Sequence, residues 1–195
     1  MQLRDYQIKA ISDLRSSFKQ GNKSPLLVMP TGSGKTVVFA EISKALESNK
    51  KNVLILVHRK ELVDQASNKL KYVDVYHGII ASGYKGQENN IQVASVQTLV
   101  RRLETINYKP DYLIIDEAHH SAAGTWQKII NHYKNTLKIG CTATPERLDG
   151  KGLGDYFDDM VLGPDTSTLI KQGYLAPYKV YAPPFKVDLD RITTK

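Results

Sequence analysis

The stretch "VMPTGSGKT" at residues 28–36 decides how the rest of this chain is read. Before it, Leu26, Leu27, Val28 and Met29 form an apolar run suited to a short buried strand. After it, Val38, Ile42, Ala45 and Leu46 share one face of a helix over 35–48. Between the two, Gly32 and Gly34 flank Ser33, and Lys35 and Thr36 follow. A strand that turns through glycines into a helix aims backbone N–H groups, and the positive end of the helix, at one point. That point suits a phosphate.

The residues therefore predict a nucleotide phosphate cradle built from Pro30, Thr31, Gly32, Ser33, Gly34, Lys35 and Thr36. Lys35 would reach the β- and γ-phosphates as a mobile cation, and the Thr36 hydroxyl would ligate Mg²⁺. The general pattern for such loops asks for a further glycine where Met29 stands, so the match is to a variant of it.

Hydrolysis needs an acidic partner, and "YLIIDEAHH" supplies one. Asp116 ends an apolar strand predicted over 111–116, which puts its carboxylate at the strand's C-terminal edge, where open α/β sheets bind ligands. Asp116 would hold Mg²⁺, and Glu117 would orient and deprotonate an attacking water. His119 and His120 are adjacent, do not share a helix face, and have no Cys or His spacing around them that suits zinc.

The same alternation continues along the chain. Helices are expected over the N-terminal segment (Tyr6, Ala10, Leu14, Phe18), at 59–71 (Leu62, Val63, Ala66, Leu70) and around Trp126, Ile129, Ile130 and Tyr133. Strands are expected at 52–57, in "VDVYHG" and "NIQVASV", at 111–116 and in "LKIGCTAT". From about residue 148 the pattern loosens, with a short helix at 166–172 and a last strand at 178–182. Strands alternating with helices mean an α/β fold, a mostly parallel sheet covered by helices on both faces.

Composition sets the outer limits. The length of 195 residues suits one domain, and 41% apolar residues are enough for a core. The net charge of +7 leans toward a polyanionic partner, although no long basic run occurs. The single cysteine, Cys141, lies in an apolar run and reads as a small buried hydrophobe. No membrane span and no signal-peptide core are visible, so no membrane partner and a cytoplasmic location are expected.

Taken in order, the motifs resemble those of superfamily 2 helicases and translocases, closest in wording to RadD-like helicases, phage helicases and restriction-enzyme motors. "LRDYQ" at 3–7 resembles the adenine-recognition motif, "PTGSGKT" motif I and "LVHRKELVDQ" motif Ia. "VASVQTL" resembles the nucleic-acid-contacting motif that follows, "DEAH" at 116–119 motif II, and "TATP" at 142–145 motif III. The resemblance covers essentially the whole chain and implies a RecA-like P-loop NTPase fold that takes ATP and Mg²⁺. It implies that Gln7 reads the adenine edge with Arg4 nearby. It also implies that His58, Arg59, Ser95, Gln97 and Thr98 face the backbone of DNA or RNA, and that His119, Thr142 and Thr144 couple the two sites.

In that superfamily two RecA-like domains sandwich ATP, and the second supplies arginines. The expectation is a RecA-like first domain over 1–175 and a linker over 176–195 toward a second RecA-like domain in cis or in trans. Such a half-motor would bind ATP but hydrolyse it poorly alone, since Arg147 and Arg191 stand isolated. The alternatives are a nucleotide-gated adaptor without enzymatic activity, or the motor portion of a restriction enzyme.

Overall fold

The structure is a computed structural model, and it describes residues 2–145 and 152–179. Its frame is a seven-stranded, wholly parallel sheet in the order β3-β4-β2-β5-β6-β1-β7. The chain starts with α1 (Asp5–Lys19), β1 (Pro25–Val28), α2 (Lys35–Ser48), β2 (Val53–Val57) and α3 (Lys60–Tyr72). It continues with β3 (Gly78–Ile80), β4 (Ile91–Ser95), α4 (Val96–Arg102) and β5 (Tyr112–Asp116). A short 3-10 helix (Ala118–Ala122) leads to α5 (Gly124–His132), β6 (Leu137–Thr142), β7 (Asp159–Leu162) and α6 (Thr166–Lys171). The RecA-like α/β fold expected from the motifs is the fold observed.

The apolar strands are explained by burial on both faces. Along β2, Val53, Ile55 and Val57 enter one core with residues of α1, α2 and α3, while Leu54 and Leu56 enter a second core with residues of α4 and α5. Period-two alternation between two apolar layers gives a continuous apolar run, the pattern of a parallel sheet. Trp126 and Ile129 of α5 are fully or nearly fully buried in the second core.

Three elements differ from expectation. "VDVYHG" is not a strand: Val73 caps α3, Asp74 takes a left-handed φ of 60°, and the Val75 N–H donates to the Leu70 carbonyl at 2.9 Å. The alternating valines serve to close a helix, and β3 begins only at Gly78. "VASVQTL" divides into the end of β4 and the seven-residue helix α4, which the sequence did not reveal. The third difference is β7, which pairs in parallel with β1 from Pro25↔Asp159 to Val28↔Leu162. The short helix at 166–172 is present as α6. The strand expected at 178–182 and the linker expected over 176–195 lie mainly outside the described residues, as do Arg147 and Arg191.

Candidate nucleotide and nucleic-acid site

Because every strand runs the same way, every motif emerges at the same edge of the sheet. The registers Val57↔Ser95, Asp116↔Cys141 and Val28↔Thr142 place the ends of β4, β2, β5, β6 and β1 side by side. Ser95 and His58 therefore lie toward one end of this edge and Met29 toward the other, with Asp116 and Thr142 between them.

The loop after β1 has the backbone of an anion cradle. Gly32 (φ 79°) and Gly34 (φ 88°) are left-handed, and Gly34 is the N-cap of α2. A Cβ on Gly34 would lie 2.5 Å from Gln7 Nε2, so this position is closed to larger residues on both counts. Lys35 is buried, and its Nζ donates to the carbonyls of Met29 at 3.1 Å and Pro30 at 3.4 Å. Those two carbonyl oxygens occupy an ammonium that phosphate oxygens would otherwise accept from. Thr31 and Gly32 are exposed, and Thr36 is half-buried.

The departure at Met29 has a structural reason. Its side chain is fully buried in the core, and a Cβ on Gly163, just past β7, would come within 2.6 Å of Met29 Cγ. The bare backbone at Gly163 makes room for a side chain where the general loop pattern has none.

Gln7 is 4% exposed, buried against the loop. It accepts from the Arg4 N–H at 3.0 Å and donates to the Ser33 carbonyl at 3.1 Å. It thus caps α1 and ties that helix to the cradle. Tyr6 reaches the same Ser33 carbonyl through its hydroxyl at 2.8 Å.

At the end of β5, burial and the adjacent Glu117 carboxylate push Asp116 up to about 6. Lys35 pulls in the opposite direction without compensating. Two neighbouring carboxylates, one of them buried, have the hard oxygens that a divalent cation prefers. Glu117 takes a left-handed φ of 52°, uncommon for a residue with a Cβ. His119 lies 3.3 Å from its carboxylate.

His119 also bonds through Nδ1 to Thr142 Oγ1 at 3.1 Å. That hydroxyl donates to the Thr144 carbonyl at 2.8 Å and accepts from the Thr144 N–H at 3.2 Å. The structure thus brings Glu117, His119, Thr142 and Thr144 into one continuous chain of contacts. Cys141, fully buried beside Asp116, has its thiol pushed well up by burial and carries no nucleophile.

The residues expected to face nucleic acid divide into two kinds. Arg59 and Gln97 are exposed at the N-terminal ends of α3 and α4. Ser95 is buried, and its hydroxyl is engaged with Thr98, donating to Oγ1 at 2.9 Å and accepting from the N–H at 3.3 Å, which is helix capping. His58 is turned inward. Its ring stacks on His120, with centroids 4.7 Å apart, and near Trp126 at 6.3 Å. Burial, with His119 and His58 nearby, lowers the pKa of His120. This stack joins the end of β2 to the acidic motif, and sequence reasoning missed it, because nothing local links His58 to Trp126.

Residues 1–147 match the family described as type III restriction enzyme, res subunit. The chain belongs to this family. A 51.5 kDa protein of a Lactococcus phage (isolate 7-9) is 38% identical to this res-type domain over 170 residues, 87% of the chain and 35% of that protein. The DNA 3'-5' translocase XPB2 of Sulfurisphaera tokodaii is 34% identical over 152 residues, 77% of the chain and 33% of that protein. The chain spans about a third of the length of these two relatives. Among solved structures, a nuclease-deletion mutant of the type ISP restriction-modification enzyme LlaGI, in complex with a DNA substrate mimic, superposes with a TM-score of 0.70. That likeness covers 89% of this chain and 21% of the other at 21% identity, and it concerns the fold. The res-type domain is thus an N-terminal RecA-like domain of the superfamily 2 kind. No helix among its described residues is long and apolar enough to cross a membrane.

Proposed function

We propose that this domain binds ATP·Mg²⁺ and serves as the first RecA-like half of a helicase or translocase acting on nucleic acid in the cytoplasm. The observation that carries the reading is the convergence of the Lys35 cradle, the Asp116–Glu117 pair and the His119–Thr142–Thr144 chain at one sheet edge. In this role the cradle holds the phosphates and Thr36 and Asp116 hold Mg²⁺, which would neutralise charge on the β- and γ-phosphate oxygens. Glu117 takes the proton from a water attacking the γ-phosphate, and His119 holds its carboxylate in place. Arg59 and Gln97 contact phosphates of the nucleic acid.

The outer face of the cradle, at Thr31 and Gly32, is exposed, which supports a second RecA-like domain closing over the nucleotide. The first domain would end near 175, and efficient turnover would require an arginine from that second domain. The family description and the relatives support both the DNA-translocase and the restriction-motor versions of this reading.

Calorimetry with a non-hydrolysable ATP analogue tests the cradle. Lys35→Ala removes a charge-assisted contact worth ~1.5–3 kcal/mol, a loss of roughly ten- to a hundredfold in affinity. Equal affinity in the wild type and the variant refutes the reading.

A further inference from the structure

The sheet has a second edge, opposite the nucleotide motifs, where the strands begin. Asn52 and Asn90 immediately precede β2 and β4, and Lys109 lies just ahead of β5. A cleft of about 940 Å³ opens there, between the loop at 86–90 and the end of α4 with the segment after it, 102–109. Small-molecule sites run to roughly 300–1,000 Å³, so this cleft has room for a ligand of nucleotide size. None of the residues that form the cradle or the acidic pair lines it.

The walls are tied together by the chain's own hydrogen bonds. Gln92, 4% exposed, donates from Nε2 to the carbonyls of Gln87 at 2.7 Å and Asn89 at 3.2 Å, which folds the loop onto β4. A Cβ on Gly78 of β3 would lie 2.2 Å from the Gln87 carbonyl oxygen, so the loop closes this tightly only over bare backbone. The Tyr108 hydroxyl donates to the Asn90 carbonyl at 2.6 Å, and Asn52 Nδ2 donates to the Lys109 carbonyl at 3.2 Å. Two features of the lining have no partner. Arg102 and Lys109 are exposed cations, and no carboxylate among the described residues lies within ion-pair distance of either. Gln92 Oε1 is buried and accepts no hydrogen bond, an uncommon state for a buried acceptor. Glu88 is the single carboxylate on the walls.

Two cations without an anion suit a phosphate. The amides beside them add selectivity. Gln87, Asn90 and Asn107 are exposed, and each carries a donor and an acceptor on one planar group, the pairing that matches the edge of a nucleobase. Ile79 and Ile106, both half-buried, supply apolar surface for the faces of a base. An acidic peptide would use the cations and leave that amide pairing idle. We propose that this cleft is a second ligand site, separate from the cradle, that takes one unpaired nucleotide, its phosphate on Arg102 and Lys109 and its base edge among the amides. A free nucleotide and an unpaired nucleotide within a single strand share this chemistry.

The test follows the side-chain amide signals of the nitrogen-labelled chain by NMR during titration. Adenosine monophosphate is expected to shift the amides of Gln87, Asn90, Gln92 and Asn107. Ribose phosphate, which lacks the base, should bind about tenfold more weakly. Replacing both cations, Arg102→Ala with Lys109→Ala, should weaken the monophosphate roughly tenfold. The same double variant should bind an ATP analogue at the cradle as wild type does, which shows that it is folded. A short deoxyadenosine strand separates the two sources: tighter binding than the monophosphate assigns the site to a strand, and equal binding assigns it to a free nucleotide. In Lys35→Ala the shifts at the cleft should persist, so failure of the cradle reading and failure of this one are distinct results. Equal affinity for ribose phosphate and adenosine monophosphate overturns the proposal. So do the same shifts produced by a short polyglutamate peptide, or shifts confined to the edge that carries residues 29–36.

Discussion

Asp116 is poised at an energetic disadvantage that its replacement should reveal. Burial and the neighbouring Glu117 raise it from an ordinary 3.8 to about 6, so the folded chain holds this proton more tightly than the unfolded one. A raised carboxylate favours the folded state below pH ~4 and loses that favour as pH rises through about 6. Across this window the difference corresponds to about 3 kcal/mol at pH 7.5 and less than about 1 kcal/mol at pH 4. Asp116→Asn removes the charge, and its Oδ1 can still accept from the Glu117 N–H, a bond of 3.1 Å in the native chain. In EDTA, the Asn variant should therefore be more stable than wild type by about 3 kcal/mol at pH 7.5, with the gain fading toward pH 4. Trp126, the single tryptophan and 2% exposed, reports unfolding by fluorescence in a urea titration at each pH. Mg²⁺ with an ATP analogue should then stabilise the wild type more than the variant. A gain that is the same at pH 4 and 7.5, or no gain at either, refutes the argument that the carboxylate is strained by burial.

Further outcomes concern turnover and nucleic acid. Phosphate release by the chain alone should stay near background with DNA or RNA present, because an arginine finger is worth about 10³–10⁵ in rate. A second RecA-like domain added in trans should restore release, and Glu117→Gln should abolish the restored activity while ATP stays bound; turnover of about one per second by the chain alone contradicts this. Binding to nucleic acid should be insensitive to sequence, with a slope of log K against log salt of about −2 to −3 for two or three phosphates. Fluorescence anisotropy over a salt series measures that slope, and a strong preference for one base sequence counts against backbone contacts.

The sequence was most readable where a local pattern and a chemical requirement coincide. The Lys35 cradle and Asp116 stand at the ends of apolar runs, and a parallel sheet must bring such ends to one edge. What the sequence did not show depends on contacts between distant residues. The valines of "VDVYHG" alternate as a strand would, but their partner is the last turn of α3, and backbone closure there outweighs periodicity. Ser95 fits both a phosphate contact and a helix cap, and its capping bonds to Thr98 are a contact the sequence did not show. The segment around Tyr174 looks like the approach to a linker because it is rich in Gly, Pro and Tyr. Leu175 of that segment nonetheless lies against Gly32, because β7 pairs with β1, the strand that carries the loop. That pairing fixes where α6 begins and therefore where Gly173 turns the chain back. The same strand makes room at Gly163 for Met29, the residue that departs from the general loop pattern. Two features that looked like a weakened motif and a loose tail thus have one structural cause, an edge strand laid against the cradle strand.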